Sequence, residues 1–416
     1  MGEGGLMTRR RAVDLMTAVT EGGRLMAEVS ASVLAPLSPA ERARAQRLAT
    51  EPLRWAQRSD RVLGPYLRNR PEDPVLNILR LAVFELFEAG EAAHGVVNDA
   101  VSLAKGPKSG MVNAVLRNVL RADVDWTALP VPSVPKWLRK RLVTAWGKEA
   151  VAAMEAVFAA TPPLDLTVKE DAEGWAERLG GELLPTGSVR LAKAGQVSAL
   201  EGFEAGAWWV QDAAAAIPAK VLNAQPGERV LDLCAAPGGK TMQMAAAGAN
   251  VTALDISPAR MERLAENLAR TGLTAECVTA DAFEWTPPVS FDAILLDAPC
   301  SATGTLRRHP DLGYAKSDEG IAGLTDLQDA MIDRAIEWLK PGGRLVYCTC
   351  SLLPEEGEAR AAAMAARHPD MVFVTPDAPG LDPVWHITEG LRIRPDHWAS
   401  RGGIDGFFVT MVQKPA

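Results

Sequence analysis

A series of short apolar runs in the second half of the chain constrains the fold most strongly. The runs are VLDL (230–233), VTALD (251–255), AILLD (293–297) and RLVYCT (344–349), and segments of helical length at 258–270, 325–340 and 355–367 separate them. Short runs without polar alternation indicate strands that are buried on both faces. The alternation of such strands with helices is typical of a parallel α/β sheet, whose ligands bind beyond the carboxyl ends of the strands. A last run, FFVTMVQ (407–413), predicts a final edge strand, which could pair in antiparallel orientation.

The first part of the chain has a different periodicity. From Ala12 to about Leu120 apolar residues recur at helical spacing, as in Val75, Leu79, Val83 and Phe87, and again in Val112, Val115, Leu116, Val119 and Leu120. Breaks at Pro36–Pro39, Pro71–Pro74 and Gly106-Pro107 separate the helices, and Ser38 or Asp73 is a suitable N-cap. This region is therefore predicted to be an all-α bundle.

Between the helical first part and the α/β second half, proline at positions 130, 132 and 135 indicates a linker. The following residues combine a helix at 137–158 with strand-like pieces at 164–168, 183–184 and 189–191. We expect three parts: a helical domain over 1–124, a linker and small α/β connector over 125–204, and an α/β domain over 205–416.

Composition and cysteine usage exclude several classes of protein. With 416 residues, 48% hydrophobic and 23% charged, the chain is globular rather than disordered or fibrous. It lacks the ~20 consecutive apolar residues of a membrane span and begins without a signal-peptide core, so we expect a cytoplasmic protein with no membrane association. Five cysteines, an odd number without any C-x-x-C pair, argue against a disulfide scaffold or zinc ribbon, and no metal is expected. Cys234, Cys277 and Cys348 are expected in the core.

The distribution of charge allows a nucleic-acid partner despite the net charge of −8. Residues 1–124 carry 17 Lys and Arg against 14 Asp and Glu, so the negative charge lies in the remainder. Three groups of cations stand out: Arg9, Arg10 and Arg11; Arg42, Arg44, Arg47, Arg54, Arg58 and Arg61; and Lys136, Arg139, Lys140 and Arg141. Each group alone also fits an ordinary solvated helix face, but together they favour a phosphate-binding surface.

The segment LDLCAAPGGKT (231–241) forms the first strand-to-helix turn and has the character of a ligand loop. A glycine pair lets the backbone approach a ligand closely, and a helix N-terminus offers amide donors. A phosphate loop requires G-x-x-x-x-G-K-[ST], but Cys234 stands where its first glycine belongs, and the dinucleotide pattern G-x-G-x-x-G is absent. S-adenosylmethionine is the favoured ligand, with an NTPase as the less favoured alternative.

Three carboxylates at successive strand ends support the cofactor interpretation. Asp255 is placed to hold ribose hydroxyls, Asp281 lies where an adenine amino group is expected, and Asp297 ends the next strand. Each alone also fits a helix cap or turn residue. Their joint placement favours a ligand site.

Two cysteines, Cys300 and Cys350, follow different strands and can therefore meet at one edge of the sheet. Methylation of carbon 5 of a cytosine requires a thiolate that adds to carbon 6, because carbon 5 is not nucleophilic by itself. Asp297 is placed to assist as an acid near ring nitrogen 3. The chemistry alone leaves open which cysteine attacks.

Five segments make the chain resemble the Sun-type family of RNA cytosine-5 methyltransferases: CAAPGGKT, ALDIS, TADAF, DAPCSATGTLRRHPD and YCTCS, in that order. Residues 93–121 also resemble the C-terminal half of a NusB-type helical domain, which only some branches of this family carry. The resemblance implies three things about fold and substrate. The bundle is a NusB-like RNA-binding domain, the α/β domain is a Rossmann-like class I S-adenosylmethionine-dependent methyltransferase, and the substrate is small-subunit (16S) ribosomal RNA.

The resemblance also implies roles for individual residues. The residues implied to bind the cofactor are Cys234, Ala235, Ala236, Pro237, Gly238, Gly239, Lys240, Asp255, Asp281 and Asp297. It implies that Cys350 is the nucleophile and that Cys300 assists release, with Asp297 and Lys240 completing the catalytic pocket.

The chain departs from the family pattern at two places that border the substrate side. LGYAKSDEG follows RRHPD, and Glu356-Gly357-Glu358 replaces the usual Glu-Asn-Glu. These departures concern the identity of the target more than the type of reaction, so transfer RNA is an alternative substrate. A non-catalytic RNA-binding or ribosome-assembly factor is a separate alternative, against which the intact Cys300, Cys350 and Asp297 argue. No obligate protein partner is inferred.

Overall fold

A computed structural model describes residues 3–416 and divides the chain into two compact units. The first unit comprises the residues up to Thr161 together with Leu306–Ser317, and the second comprises Pro162–Thr305 and Asp318–Ala416. The chain therefore leaves the second unit after Thr305, contributes a short segment to the first unit, and returns.

The elements are listed here in chain order. The helices are α1 (Glu3–Thr20), α2 (Met26–Val33), α3 (Pro39–Arg54), α4 (Ala56–Leu63), α5 (Asp73–Phe87), α6 (Ala93–Leu103), α7 (Lys108–Arg121), α8 (Lys136–Ala159), α9 (Ala172–Leu179), α10 (Ala213–Leu222), α11 (Gly239–Ala246), α12 (Pro258–Thr271), α13 (Leu312–Ala315), α14 (Ile321–Trp338) and α15 (Glu358–Arg367). The strands are β1 (Leu164–Val168), β2 (Glu182–Leu183), β3 (Val189–Leu191), β4 (Trp208–Val210), β5 (Arg229–Leu233), β6 (Asn250–Asp255), β7 (Glu276–Thr279), β8 (Phe291–Asp297), β9 (Leu339–Thr349), β10 (Val372–Val374), β11 (His386–Ile387), β12 (Gly390–Ile393) and β13 (Phe407–Gln413).

The first unit is the predicted helical bundle. Helix α5 lies at its centre, and Val75, Leu79 and Val83 pack in the core as their spacing predicts. Ser38 precedes α3, and its backbone N–H donates to the Glu41 carboxylate at 3.0 Å, which confirms the predicted cap. Leu120 is 41% exposed, so the apolar stripe of α7 ends at Val119 rather than one residue later.

The predicted connector region divides between the two units. Helix α8 belongs to the first unit and is interrupted at Gly147, whose φ of 81° breaks the continuous helix that the sequence predicts. The strands β1 to β4 form a small antiparallel sheet in the second unit, in the order β2-β3-β1-β4. The boundaries at 124/125 and 204/205 remain predictions.

The second unit contains the predicted α/β sheet, in the order β11-β12-β13-β9-β8-β5-β6-β7 with β10 beside β13. Strands β9, β8, β5, β6 and β7 are parallel neighbours, and the strands VLDL, VTALD, AILLD and RLVYCT all lie where they were predicted. Strand β13 is antiparallel to β9, but its prediction as an edge strand is wrong because β12 pairs with its other side. Residues 394–406 join β12 to β13 and include a 3-10 helix at Pro395–Arg401, so the pairing of the two strands has no local signal in the sequence.

None of the helices in residues 3–416 has both the length and the apolar character needed to cross a membrane.

Candidate functional site

The site lies in the second unit, at the carboxyl edge of four adjacent parallel strands. Residues at the ends of β5, β6 and β8 are register neighbours, with Leu233 opposite both Leu254 and Leu296. Asp297 lies opposite Cys348, two residues before Cys350. The topology thus brings the glycine loop, two of the predicted carboxylates and the predicted nucleophile to one edge.

The loop Cys234–Gly239 forms a tight turn between β5 and α11. Cys234 has a φ of 64° and Gly238 a φ of 101°, and the Ala235 N–H donates to the Leu254 carbonyl oxygen at 3.0 Å. A Cβ at Gly238 would lie 2.8 Å from Leu264 Cγ, so helix α12 packs too closely for any larger residue. The N-terminal amides of α11 therefore face the same edge as the strand ends.

Asp255 lies directly beside this loop and is almost wholly buried. Its carboxylate accepts hydrogen bonds from the backbone N–H of Ala236 at 3.2 Å and of Ser257 at 3.0 Å, and Arg260 is 3.3 Å away. A carboxylate has about four acceptor positions, so these contacts orient it and leave capacity for a ligand hydroxyl.

Asp281 follows β7, at the neighbouring strand end. The Ala280 N–H donates to the Asp255 carbonyl oxygen at 3.3 Å, and Asp281 Oδ1 accepts from the Phe283 N–H at 2.9 Å. Asp281 is half-buried.

Lys240 and Asp297 form an ion pair at the centre of the edge, with 2.7 Å between Lys240 Nζ and Asp297 Oδ2. The Cys348 thiol donates to Asp297 Oδ1 at 3.5 Å. Burial lowers the pKa of Lys240, but the charge of Asp297 and its hydrogen bond to Lys240 outweigh burial and raise the pKa well above its usual value. Lys240 therefore remains a cation, and Phe407 covers it with 5.5 Å between Nζ and the ring centroid.

Asp232, within β5, is a buried carboxylate that the sequence analysis did not select. Its Oδ2 accepts from the Thr241 hydroxyl at 2.5 Å, whereas Oδ1 has no hydrogen-bond partner among the described residues. Burial raises the pKa of Asp232 to about 7, against the lowering effects of Thr241 and Lys240. An acidic residue inside an otherwise apolar strand was the signal that could have identified it.

The two predicted thiols meet, with 3.5 Å between Cys300 Sγ and Cys350 Sγ. Both cysteine residues are half-buried. The hydrogen bond to Cys350 raises the pKa of Cys300 well above that of a free thiol, and burial adds to the effect. Cys300 therefore keeps its proton at neutral pH.

A buried carboxylate, Glu356, connects the loops that carry the two thiols. Its oxygens accept from the Ser301 N–H at 2.9 Å, the Ser301 hydroxyl at 2.5 Å and the Ser351 hydroxyl at 2.6 Å. Gln328 Nε2 donates to the same carboxylate at 3.1 Å, and Glu356 is completely inaccessible to solvent. We refer to Ser301, Gln328, Ser351 and Glu356 as the Glu356 network. The serines that directly follow Cys300 and Cys350, and the acidic residue shortly after β9, were the available signals.

The other cysteines follow the core prediction only in part. Cys348 is buried as predicted, whereas Cys234 is half-buried in the glycine loop. The prediction is wrong for Cys277, which lies exposed on β7 because that strand forms the edge of the sheet. In residues 3–416 no three His, Cys, Asp or Glu side chains cluster as ligands for a metal ion.

The predicted phosphate-binding surface is wrong for three of its arginines. Arg9 is buried against Glu85 at 2.6 Å, Arg54 is buried against Glu51 at 3.1 Å, and Arg58 stacks on Trp55. These cations stabilise the core of the first unit. The prediction failed for them because helical spacing alone does not show which face of a helix is buried. The exposed members of the same groups include Arg42, Arg44, Arg47 and Arg61.

Comparisons with known proteins agree with this arrangement. The family model "16S rRNA methyltransferase RsmB/F" matches residues 219–413, and the NusB family model matches residues 7–121. Ribosomal RNA small subunit methyltransferase B of Klebsiella pneumoniae is 35% identical over 98% of this chain and 98% of that protein. The enzyme of the same name from Pseudomonas syringae is 34% identical, over 98% and 97%. The chain belongs to the RsmB family of ribosomal RNA methyltransferases.

Solved structures place this RsmB family member in the expected fold. The protein PH0851 is 22% identical, with a TM-score of 0.77 over 97% of this chain and 99% of that chain. A methyltransferase homologue from Pyrococcus horikoshii is 25% identical, with a TM-score of 0.57 over 72% of this chain and 98% of that chain. The predicted NusB-like bundle and Rossmann-like methyltransferase domain are confirmed, and the NTPase alternative is excluded by the family assignment.

Proposed function

We propose that this RsmB family member methylates carbon 5 of a cytosine in small-subunit (16S) ribosomal RNA, through a covalent adduct with Cys350. The observation that carries the proposal is the contact between Cys300 and Cys350 at the same strand edge as the Lys240–Asp297 ion pair. A protein that only binds RNA has no need for two touching thiols beside a lysine–aspartate ion pair. A ribosomal RNA substrate places the proposed activity in the cytoplasm.

The residues of the loop edge fit S-adenosylmethionine as the cofactor. The loop Cys234–Lys240 and the N-terminal amides of α11 would hold its carboxylate, and Asp232 Oδ1 is a buried acceptor without a partner in residues 3–416 that suits its ammonium group. Asp255 would bind the ribose hydroxyls and Asp281 the adenine amino group. Asp297 is the third carboxylate proposed to contact the cofactor. When bound, S-adenosylmethionine supplies an electrophilic methyl group.

The chain's own residues then supply the activation that cytosine needs. The Cys350 thiolate forms a bond to carbon 6, which makes carbon 5 nucleophilic. Asp297 would lie near ring nitrogen 3, and the charged Lys240, 2.7 Å from Asp297, would stabilise the negative charge that develops on the ring. After methyl transfer the proton on carbon 5 leaves to a base, the bond between carbon 6 and Cys350 Sγ breaks, and the ring and the thiolate are restored.

The roles of the two thiols follow the family resemblance, in which Cys350 attacks and Cys300 assists release. The contact of 3.5 Å between their sulfurs supports a part for both in one reaction. The target base has to leave its stack to reach this pocket.

The first unit supports RNA as the substrate class. It matches the NusB family model, and the arginines exposed on α3 and α4 offer cations to phosphates. Transfer RNA as the substrate, or RNA binding without catalysis, are the outcomes that the experiment below separates from the proposal.

The test uses Cys300→Ala, incubated with total cellular RNA and S-adenosylmethionine and analysed on a denaturing gel. This variant forms the adduct but releases it poorly, so we expect a shifted band whose RNA, when sequenced, is small-subunit ribosomal RNA. Cys350→Ala should give neither adduct nor methyl transfer, and Cys277→Ala, changed at an exposed thiol outside the site, should behave as wild type. Methyl transfer by Cys350→Ala would refute the assigned nucleophile. Transfer RNA in the band would change the substrate, and wild-type protein that binds RNA without methylating it would favour an assembly factor.

A further inference from the structure

The two thiols are held together by more than their own contact. Ser301 follows Cys300 and Ser351 follows Cys350, and the Glu356 carboxylate binds both serines. The two loops are therefore connected immediately next to the cysteines. Because Glu356 and both serines are buried, solvent does not compete for these hydrogen bonds.

A second connection fixes the backbone of the same two loops. The Gly304 N–H donates to the Cys350 carbonyl oxygen at 2.9 Å, and the Gly406 N–H donates to the Gly304 carbonyl oxygen at 2.8 Å. A Cβ at Gly304 would lie 2.8 Å from the Cys350 carbonyl oxygen and even closer to Gly406, so only glycine permits this approach. The thiols thus stay in contact without rearrangement of the main chain.

From this geometry we propose that Cys300 and Cys350 form a reversible oxidation site, in which a peroxide converts the pair to a disulfide. The separation of 3.5 Å between the sulfurs has to close to a bond of about 2 Å. Both cysteine residues are half-buried, so we expect access for a reagent as small as hydrogen peroxide.

The chemistry of the step balances. One thiolate attacks a peroxide oxygen, which breaks the O–O bond, gives a sulfenic acid and releases hydroxide. The second thiol attacks the sulfenic sulfur, the S–S bond forms and water leaves. Overall, two thiols and one hydrogen peroxide give one disulfide and two waters, and a dithiol reductant reverses the change.

The consequence for activity rests on the proposed function, whereas the disulfide itself does not. If Cys350 is the nucleophile, oxidation removes it and protects both sulfurs from irreversible oxidation. The protein would then lose methyl transfer under peroxide and recover it on reduction.

The test treats the full-length wild-type protein with hydrogen peroxide, blocks the remaining thiols with an alkylating agent under denaturing conditions, and digests it without reduction. We expect peptides containing Cys300 and Cys350 to be joined, with Cys277 alkylated or separately oxidised. Cys277→Ser should retain the joined peptides, whereas Cys300→Ser and Cys350→Ser should each lose them.

Each result decides the proposal. A sulfinic or sulfonic acid at either cysteine with the other thiol alkylated, or a disulfide that involves a different pair, would overturn it. Joined peptides together with activity that returns on reduction support both the site and its effect. Joined peptides in a protein that shows no methyl transfer even when reduced would leave the oxidation site in place and reject the proposed function instead.

Discussion

At the scale of single residues, Asp232 shows how burial within the sheet changes the chemistry of a common side chain. Only one of its oxygens has a hydrogen-bond partner in the described part of the chain, and the strand around it is apolar. Burial therefore raises its pKa from 3.8 to about 7, so the folded protein binds a proton that the unfolded chain releases.

This shift predicts that Asp232 reduces stability as pH rises. Below its unfolded pKa of 3.8 the side chain is protonated in both states and contributes no difference. Between that value and about 7 the unfolded chain ionises first, so the free energy of unfolding falls by a few kcal/mol and then stays constant. Thermal unfolding of Asp232→Asn and wild type should show a gain in Tm for the variant that grows from pH 4.5 to pH 7.5. A difference in Tm between the two proteins that stays the same from pH 4.5 to pH 7.5 would contradict the prediction.

The same residue shows a limit of reasoning from sequence. Asp255 and Asp297 are predicted as site residues because each is the last residue of an apolar run. Asp232 lies one residue before the end of its run, so the same criterion does not identify it. Its environment depends on the side chains of Thr241 and Lys240, which become neighbours only through the turn into α11.

At the scale of elements, the loops after β8 and β9 are positioned by the Glu356 network. Replacing Glu356 with Ala would leave the Ser301 N–H and hydroxyl, the Ser351 hydroxyl and Gln328 without their buried acceptor. Each unsatisfied buried group costs about 1–3 kcal/mol, part of which relaxation recovers.

We therefore expect Glu356→Ala to loosen the thiol pair more than the cofactor loop. The rate of adduct formation at saturating RNA should fall by roughly 10- to 100-fold, since small displacements of catalytic groups have effects of this size. The KM for S-adenosylmethionine should change little, because the network contacts no residue of the loop Cys234–Lys240. Glu337→Gln, at an exposed ion pair on α14, is the matched control and should leave both quantities unchanged. A selective rise in the KM with an unchanged rate would assign Glu356 to cofactor binding instead.

Elements were predictable where their pattern was local. The strands at 230–233, 251–255, 293–297 and 344–349 are confirmed because parallel strands buried on both faces are continuously apolar. The position of β13 inside the sheet was not predictable, since it depends on pairing with β12 rather than on the residues of β13 itself. For Arg9, Arg54 and Arg58 the sequence showed the charge but not the carboxylate or ring that buries it.

At the scale of the whole molecule, the segment Leu306–Ser317 matters because it belongs to the first unit although the residues around it in sequence belong to the second. Within the first unit the Asp311 carboxylate accepts from the Met26 N–H at 2.8 Å, at the start of α2. The Tyr314 hydroxyl donates to the Leu53 carbonyl oxygen at 3.2 Å, and Leu312 is buried. Helix α13, which contains Leu312 and Tyr314, also contacts α1.

A substitution in this segment should therefore destabilise the helical unit, despite lying between two strands of the methyltransferase sheet. Leu312→Ala removes a buried side chain, which costs about 2–5 kcal/mol. Hydrogen exchange in the full-length protein should increase in α1 and α2 and stay unchanged in β5 and β8. Leu268→Ala on α12 is the matched control, because it removes an equally buried leucine from the second unit and should increase exchange there alone. If Leu312→Ala instead increased exchange around β8 and β9, the segment would draw its stability from the sheet, and its assignment to the first unit would be wrong.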